Sequence, residues 1–171
     1  MSSSSRQAKH AWIGVGANLD EPEAQLQLGI KRLCEEPTVS LSLCSSFYQS
    51  DPMGPQDQPQ YTNAVIRIET VLTPLQLLDQ LQAVENAAGR ERKERWGART
   101  LDMDLLLYDE LELTTERLTI PHPGITLRSF VLIPLLEINP DIFIPGLGRA
   151  SDYHTSVEDY GLIKLEAQRA P

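Results

Sequence analysis

The sequence predicts an α+β fold in which helices pack on a single, mainly antiparallel β-sheet. Strand and helix patterns alternate along the chain in the order βαββαβ, followed by a hairpin and a third helix. Some strands are joined by connections too short for the crossover that a parallel pair needs. With 171 residues, and with neither an internal repeat nor an interior linker, the chain has the length of one domain.

The first strand and helix are predicted from glycines, a cap and an apolar stripe. Residues 11–16 form a buried strand whose two glycines leave room for close approach by another backbone or a ligand. Asp20 is a suitable N-cap and Pro22 a favourable first-turn residue, so a helix is expected to begin there. Leu26 and Ile30 lie one turn apart and give this helix its apolar face.

Two further strands are predicted on either side of a stiff loop. Val39, Leu41 and Leu43 alternate with polar residues, which is typical of a half-buried strand. Residues 51–59 contain three prolines and a glycine, which exclude regular structure. Long loops of this kind are often functional. The strand pattern resumes at residues 63–69.

The second helix carries the strongest start signal in the chain. Thr73 is the predicted N-cap, Pro74 the first helical residue and Gln76 the return partner of a capping box. Gly89 is suited to end the helix in a left-handed turn. After a basic loop, residues 100–108 have the pattern of a strand.

The last predicted elements complete a ferredoxin-like βαββαβ core with helices covering a mainly antiparallel sheet. A turn at residues 109–110 is expected to fold the preceding strand back onto residues 111–113. Residues 121–124 have the composition of a loop. Residues 130–138 are predicted to be helical in spite of Pro134.

Composition places the chain among soluble globular proteins. Its hydrophobic fraction is 41%, and no apolar run approaches the ~18 residues of a membrane-spanning helix. A net charge of −9 argues against a general nucleic-acid binder, which usually carries a basic surface. Cys34 and Cys44 lack the spacing of metal ligands and are interpreted as reduced thiols.

We expect residues 1–10 to form a disordered tail, residues 11–150 a single domain and residues 151–171 a C-terminal extension. The first nine residues are polar and do not have the pattern of a signal peptide. The predicted protein is therefore cytoplasmic, and we expect a monomer that binds small molecules rather than nucleic acid or a membrane.

A basic cluster stands out in this acidic chain. It comprises Arg90, Arg92, Lys93, Arg95 and Arg99, interrupted by two glutamates. Arginine forks bind phosphate oxygens in a bidentate manner, so the cluster indicates an anion site. A solvated loop in which the arginines pair with the neighbouring glutamates would show the same pattern.

Asp102 and Asp104 are the most informative pair. Alternate side chains of a strand share one face, so the two carboxylates are expected to project together. They repel each other unless a cation lies between them, and Mg²⁺ is often bound by one or two carboxylates plus substrate phosphates. The pattern also occurs on the solvent face of ordinary strands. No Walker sequence or Gly-x-Gly-x-x-Gly is present, so any ATP site is of another type.

Other polar residues have two interpretations each. His122, between two prolines, is suited to donate to a phosphate or to bond a backbone carbonyl in a turn. Gln82 and Glu85 lie one helical turn apart and either face the basic loop or are ordinary exposed residues. Tyr61 and Asn63 form either a platform for a flat polar heterocycle or a core tyrosine beside a turn asparagine.

Residues 96–106, with the sequence Trp-Gly-Ala-Arg-Thr-Leu-Asp-Met-Asp-Leu-Leu, resemble the signature of the hydroxymethyldihydropterin pyrophosphokinases. Further landmarks of that family occur in order at residues 16–19, 46–48, 54–59, 121–122 and 128–130. There are departures, since Ala17 stands where the family often has Ser, and residues 93–96 are one residue shorter than in some relatives. The resemblance covers about residues 11–145.

The resemblance implies a reaction. The enzyme transfers pyrophosphate from ATP to the hydroxymethyl group of 6-hydroxymethyl-7,8-dihydropterin and releases AMP, in folate biosynthesis. It implies that Asp102 and Asp104 hold two Mg²⁺ ions that bridge the ATP phosphates. It also implies that Arg90 and Arg92 lie on a loop that closes over the reactants.

The resemblance also implies that Glu85 helps to position the residues on the metal side of the site. The remaining implied roles form two groups. The residues expected to line the ATP site are Gln82, Trp96, Arg99, Leu105, Thr119, His122 and Arg128. The residues expected to bind the pterin are Tyr61 and Phe130 as a sandwich, Asn63 at its polar edge, and Ser50 and Met53 through their backbones.

Two alternative functions stay open at this stage. One is another Mg²⁺-dependent phosphotransferase or phosphohydrolase, which would release ADP or phosphate. The other is a non-enzymatic binding module whose basic loop is a docking surface. Tyr61, Asn63 and Phe130 favour the pterin enzyme over both. No strong general base is evident, and Asp102 is the best candidate for accepting the hydroxyl proton.

Overall fold

A mainly antiparallel β-sheet organises the computed structural model, which describes residues 7–18, 21–52, 60–88 and 101–166. In chain order its strands are β1 (Lys9–Ala17), β2 (Val39–Cys44), β3 (Tyr48–Ser50), β4 (Tyr61–Thr70), β5 (Asp102–Tyr108), β6 (Leu113–Thr114), β7 (Thr119–Ile120), β8 (Phe143–Ile144), β9 (Gly148–Arg149) and β10 (Ile163–Lys164). Its helices are α1 (Pro22–Leu33), α2 (Pro74–Ala87) and α3 (Ser129–Ile138), with a 3₁₀ turn at Ala150–Tyr153.

Within the described residues the main sheet has six strands in the order β10-β3-β4-β1-β5, with β2 also paired to β4. Every strand pair in it is antiparallel. The central pair, β1 with β4, runs without interruption from Lys9 opposite Thr70 to Ala17 opposite Thr62. The mixed α/β class and the mainly antiparallel sheet predicted from the sequence are therefore confirmed.

The alternation of β1 divides the interior into two layers. Ala11, Ile13 and Val15 are buried in a cluster with apolar side chains of α1 and α2 on one face of the sheet. Trp12 packs with the second cluster, which α3 supplies from the other face. Fully burying one aliphatic side chain contributes about 1.5–3 kcal/mol, so both layers are needed to hold the sheet. We call the second side the α3 face.

The α2 capping box is confirmed, whereas the predicted cap of α1 is wrong. Thr73 Oγ1 accepts a hydrogen bond from the Gln76 backbone at 3.2 Å, and Gln76 Oε1 accepts from the Thr73 backbone at 2.9 Å. The N-cap of α1 is Glu21 rather than Asp20, with φ 59 and no side-chain capping bond. Gly89, the predicted terminator of α2, lies outside the described residues.

The hairpin predicted after β5 is wrong. Asp109 donates its backbone N–H to the His10 carbonyl at 2.7 Å and accepts from the His10 backbone at 2.8 Å. With φ 46 at Asp109, the chain turns off the sheet instead of folding back. Residues 113–114 therefore pair with residues 119–120 and not with β5.

Element boundaries also differ from the prediction at both ends of the chain. The first strand begins at Lys9, so Lys9 and His10 belong to the sheet instead of the expected tail. Near the C-terminus, β10 adds a short outer strand beside β3. α3 runs through Pro134 as predicted and begins one residue early, at Ser129. No helix among the described residues is long and apolar enough to cross a membrane.

Glu137 ties α3 to the segment between β2 and β3. Its carboxylate accepts from the Ser46 backbone at 3.0 Å, from Ser46 Oγ at 2.8 Å and from Tyr48 Oη at 2.7 Å. Burial raises the pKa of Glu137, but the bonds from Tyr48 and Ser46 outweigh burial and hold the pKa below its ordinary value. Glu137 is thus an anion that the fold stabilises.

We predict that Glu137→Gln lowers the free energy of unfolding by about 1 kcal/mol at pH 7, since one amide cannot accept all these bonds and solvent screens the charge. A folded pKa below the unfolded value makes this contribution complete above the unfolded pKa of about 4.3. It disappears as the pH falls through the folded pKa. Denaturant titrations at pH 7 and below pH 4 measure the difference. The exposed Glu110→Gln is the control, and a Glu137→Gln defect that persists in acid contradicts the prediction.

Candidate active site

Asp102 and Asp104 project together on the α3 face, as the alternation of β5 predicts. Asp102 is half-buried and Asp104 is exposed, whereas Leu101, Met103 and Leu105 between and beside them are buried in the opposite layer. The strand thus anchors itself by its apolar residues and presents two carboxylates from a fixed backbone.

Gly16 joins these carboxylates to the polar residues of β4. It pairs with Asn63 on one side and with Asp102 on the other, so the three positions form one row across the sheet. A Cβ atom at Gly16 would lie 3.1 Å from Asn63 Oδ1, tighter than ordinary contact. With strands about 4.8 Å apart, the row places Asn63 and Asp102 about 10 Å apart with no side chain between them.

A second row, one step along the sheet, repeats the arrangement. Gly14 lies between Val65 and Asp104. The two glycines that the sequence flagged therefore lie directly beside the two carboxylates in the sheet, and the Leu106 side chain packs over Gly14, 3.6 Å from where a Cβ would be. The expectation that they admit a ligand stays a prediction, and the two rows link the two ends of the candidate site.

Glu85 supports the carboxylate pair from below. It is 5% exposed, and its Oε2 accepts from the Met103 backbone at 2.7 Å. Met103 stands between Asp102 and Asp104, so this bond holds the segment that carries them. The contact agrees with the placing role that the family resemblance implied for Glu85.

A cavity of about 270 Å³ opens beside Asp104. It is lined by three residues expected in the ATP site, Leu105, Thr119 and His122. Arg117 also lines it, a residue that the sequence analysis missed. Its only sequence signal is a cation two positions before Thr119, in the turn that joins residues 113–114 to residues 119–120.

Arg117 links the cavity to α2. Its Nη2 lies 2.6 Å from Asp79 Oδ1 and 3.3 Å from Gln82 Oε1. Gln82, expected at the ATP site, therefore reaches the cavity rim through Arg117. The pair with Asp79 is solvent-exposed, so it contributes little stability and leaves the guanidinium able to change partners.

His122 is held as a neutral donor. Its backbone N–H donates to the Leu106 carbonyl at 2.9 Å, and its Nδ1 accepts from the Gly124 backbone at 3.0 Å. This bonding places the ring proton on Nε2. Burial lowers the pKa of His122, and the charge of Arg128 lowers it further, against the opposing charge of Asp104. The ring bonds a backbone N–H, not the carbonyl weighed in the sequence analysis.

The other end of the site is buried and pre-ordered. Asn63 and Ser50 are 5% and 1% exposed, and Asn63 Nδ2 donates to Ser50 Oγ at 2.8 Å. Tyr61 pairs with Ser50 across the strands and is half-buried on the α3 face. Ser50 thus orients the Asn63 amide with its side chain, beyond the backbone contact expected of it.

Phe130 and Arg128 enter from the start of α3. Arg128 is the N-cap, and its Cζ lies 6.0 Å from the centroid of the Phe130 ring. Gly124 admits this arrangement, since a Cβ there would lie 3.0 Å from Arg128 Nε. Both residues expected at the substrates are therefore on the α3 side with Asn63 and Asp102.

Five expected site residues lie outside the described part of the chain. These are Met53, Arg90, Arg92, Trp96 and Arg99. Their roles stay predictions.

Comparison with known proteins bears directly on this arrangement. Residues 12–140 match the model of a family described as 7,8-dihydro-6-hydroxymethylpterin-pyrophosphokinase (HPPK). The chain belongs to this family. The predicted resemblance is thus confirmed, and with it the function of pyrophosphate transfer to the hydroxymethyl pterin in folate biosynthesis, with ATP as the co-substrate that the family implies.

Two relatives illustrate the match. The 2-amino-4-hydroxy-6-hydroxymethyldihydropteridine pyrophosphokinase of Haemophilus influenzae is 47% identical over 91% of this chain and 97% of its own length. The Pseudomonas aeruginosa protein of the same name is 44% identical over 80% of this chain and 85% of its own length. Both alignments extend through most of the HPPK domain.

A solved structure shares the fold. Wild-type Plasmodium falciparum HPPK-DHPS, crystallised with pteroate, superposes with a TM-score of 0.71 at 13% identity. The superposition covers 90% of this chain and 43% of that longer one. At this identity the likeness concerns the fold alone.

We predict that Glu85→Ala lowers the free energy of unfolding by about 1–3 kcal/mol, because it leaves the buried Met103 N–H without this acceptor. It should also reduce kcat at least tenfold, since the Asp102 and Asp104 backbone is no longer held. Glu85→Gln keeps an acceptor oxygen and should be milder in both respects. Thermal unfolding and steady-state kinetics measure these effects.

The matched control for Glu85→Ala is Asn86→Ala, the next residue of α2, whose side chain is exposed. It should leave both properties unchanged. A Glu85→Ala enzyme with wild-type kcat would show that the bond to Met103 does not position the carboxylates.

Proposed function

We propose that this pyrophosphokinase binds both substrates on the α3 face, the pterin at the β3–β4 end and the ATP phosphates at the β5 end. The row Asn63–Gly16–Asp102 supports the proposal above all. It places a buried amide and a carboxylate on the same face of the sheet, about 10 Å apart, which suits two reactants meeting end to end.

The reaction joins the two ends of this row. The pterin hydroxymethyl oxygen attacks the β-phosphorus of ATP, forming a new O–P bond as the bond to the α,β-bridging oxygen breaks and AMP leaves. The hydroxyl proton passes to a base. Asp102 is our candidate because it is the carboxylate that shares a row of the sheet with Asn63, where the pterin is proposed to bind. Arginines stabilise the negative charge that develops on the phosphates in the transition state. Correct positioning of the two substrates supplies much of the rate acceleration.

Asp102 and Asp104 fit Mg²⁺ by their chemistry. Both are carboxylates on one face of a single strand, each paired across the sheet with a glycine that carries no side chain. In the described part of the chain no group of three or more potential ligands is close enough to hold a metal. Mg²⁺ takes one or two carboxylates and completes its shell with phosphates and water, so the pair alone is sufficient. Two bound ions would neutralise the triphosphate and make the β-phosphorus easier to attack.

ATP is proposed to occupy the cavity beside Asp104. The His122 Nε2–H is suited to donate to a phosphate without carrying a positive charge. Thr119 and Leu105 line the wall, and Arg117 adds a cation. The other residues assigned to ATP are Gln82, Arg128, Trp96 and Arg99, with Arg90 and Arg92 closing over the reactants.

The pterin is proposed to lie between Tyr61 and Phe130. Its polar edge would meet the Asn63 amide, which Ser50 holds in place. The backbones of Ser50 and Met53 would add contacts to the ring. An aromatic sandwich with an ordered amide beside it selects a flat heterocycle with a hydrogen-bonding edge.

Wider proposals on topology, assembly, compartment and ligand class accompany the site. The order of β2 and β3 beside β4, then β1, then β5 supports a ferredoxin-like topology. We also propose a single domain that works as a monomer in the cytoplasm, on small molecules only. The acidic charge of −9 supports the exclusion of nucleic acid.

Product analysis tests the function. We predict that the protein, mixed with ATP, Mg²⁺ and 6-hydroxymethyl-7,8-dihydropterin, forms AMP and the pterin pyrophosphate in equal amounts. Omitting any one component should abolish both products. Formation of ADP, or of AMP without pterin, would show that the acceptor is wrong.

A second prediction tests the metal ligands. Asp102→Asn and Asp104→Asn should each lower kcat about 100-fold or more, because a neutral amide of the same shape binds Mg²⁺ and balances phosphate charge poorly. The residual activity should need more Mg²⁺ for half-maximal rate. Kinetics across a Mg²⁺ titration measure both effects. Asp141→Asn, at an exposed position, is the control, and wild-type rates in either variant would contradict the assignment.

A further inference from the structure

The segment after the 3₁₀ turn is built into the candidate pterin end of the site. We call residues 157–164 the strap. Its last two residues pair with β3, Ile163 opposite Gln49 and Lys164 opposite Tyr48. Within it, the Tyr160 carbonyl accepts from the Asp51 backbone at 2.8 Å. The strap is therefore bonded along β3 and to the residue that follows Ser50.

The strap is also bonded to the start of α3. The Ser129 backbone donates to the Glu158 carbonyl at 3.2 Å, and Ser129 Oγ donates to the Asp159 carbonyl. Arg128 and Glu158 form an isolated parallel bridge. One short segment thus connects the helix end that carries Phe130 with the strand end that carries Ser50.

Tyr160 lies between these two attachments. Its ring meets the Phe130 ring in a T-shaped contact, with centroids 5.4 Å apart and planes at 69°. Its backbone has φ 53, a left-handed conformation that non-glycine residues seldom adopt. Surrounding contacts must hold such a residue in place, and they often do so at functional sites.

The next residue fits the same tight path. Gly161 has φ 62, and a Cβ there would lie 2.6 Å from Asp51 Oδ2. Two successive left-handed residues turn the strap sharply against Asp51, and this turn aims the Tyr160 ring at Phe130. The geometry serves the ring contact, and Phe130, at the first turn of α3, is half-buried with Tyr160 in place.

We propose that Tyr160 is a positioning residue that fixes the orientation of the Phe130 ring for stacking on the pterin. This rests on the proposed function of Phe130 at the pterin. An aromatic ring already held in place loses no freedom when the substrate stacks on it, so pre-orientation tightens binding of the pterin alone. Tyr160 itself need not touch the substrate, and ATP binding at the β5 end should not depend on it.

The experiment compares Tyr160→Leu, Tyr160→Phe, Phe130→Ala and the double variant Tyr160→Leu/Phe130→Ala by steady-state kinetics. Tyr, Leu and Phe all carry a Cβ and must adopt the same positive φ at position 160. The variants therefore differ in the side chain beyond Cβ, and only Leu lacks the ring. Tyr160→Leu should raise the KM for the pterin about three- to tenfold, with kcat and the KM for ATP unchanged. Tyr160→Phe should stay within about twofold of wild type.

The double variant separates this proposal from the pterin assignment. Phe130→Ala should raise the pterin KM, and adding Tyr160→Leu should raise it no further, because the residue that Tyr160 orients is already gone. If Phe130→Ala raises the pterin KM and Tyr160→Leu does not, the proposal for Tyr160 fails and the pterin site stands. If Phe130→Ala has no effect, the pterin site fails and the proposal falls with it.

Two further outcomes would also overturn it. One is that Tyr160→Leu raises the pterin KM by the same factor in the wild-type background and in the Phe130→Ala background. The other is a joint change of kcat and both KM values with a lower melting temperature, which would indicate that Tyr160 only stabilises the fold.

Discussion

The strict alternation of β1 is the constraint on which the rest of the structure depends. One set of its residues anchors the strand under α1 and α2, and the other set contains Gly14 and Gly16. If the register slipped by one residue, Ala11, Ile13 and Val15 would turn to the α3 face and the glycines would enter the layer under α1 and α2. The requirement that buries the strand is thus the one that leaves no side chain of β1 between Asn63 and Asp102.

Sequence reasoning succeeded where local chemistry or alternation decides the structure. The capping box at Thr73 needs only residues three apart, and the shared face of Asp102 and Asp104 needs only a strand. It failed after β5, because the turn at Asp109 depends on bonds to His10, 99 positions away along the chain. No local pattern carries such a contact.

The missed parts of the site have the same origin. β10 is two residues long, too short for any periodicity, and it exists because β3 offers an edge. Tyr160 lies in a segment whose backbone is irregular. Its proposed role depends on its contact with Phe130, thirty positions earlier in the chain. Arg117 looks like an ordinary surface cation until the turn between β6 and β7 places it against Asp79 and Gln82 of α2. Residues that act through tertiary neighbours give little sequence signal.

The two ends of the candidate site differ in burial, and we infer from this difference that they have different roles in binding and catalysis. At the carboxylate end Asp104 is exposed, so the proposed Mg²⁺ ions and nucleotide would exchange with solvent there. At the other end Asn63 and Ser50 are almost wholly buried and bonded to each other. A ligand without a matching polar edge would cover the Asn63 amide and leave it without a hydrogen-bond partner, which costs binding free energy in a buried site. Discrimination between heterocycles should therefore come from the buried end, and charge stabilisation from the exposed one.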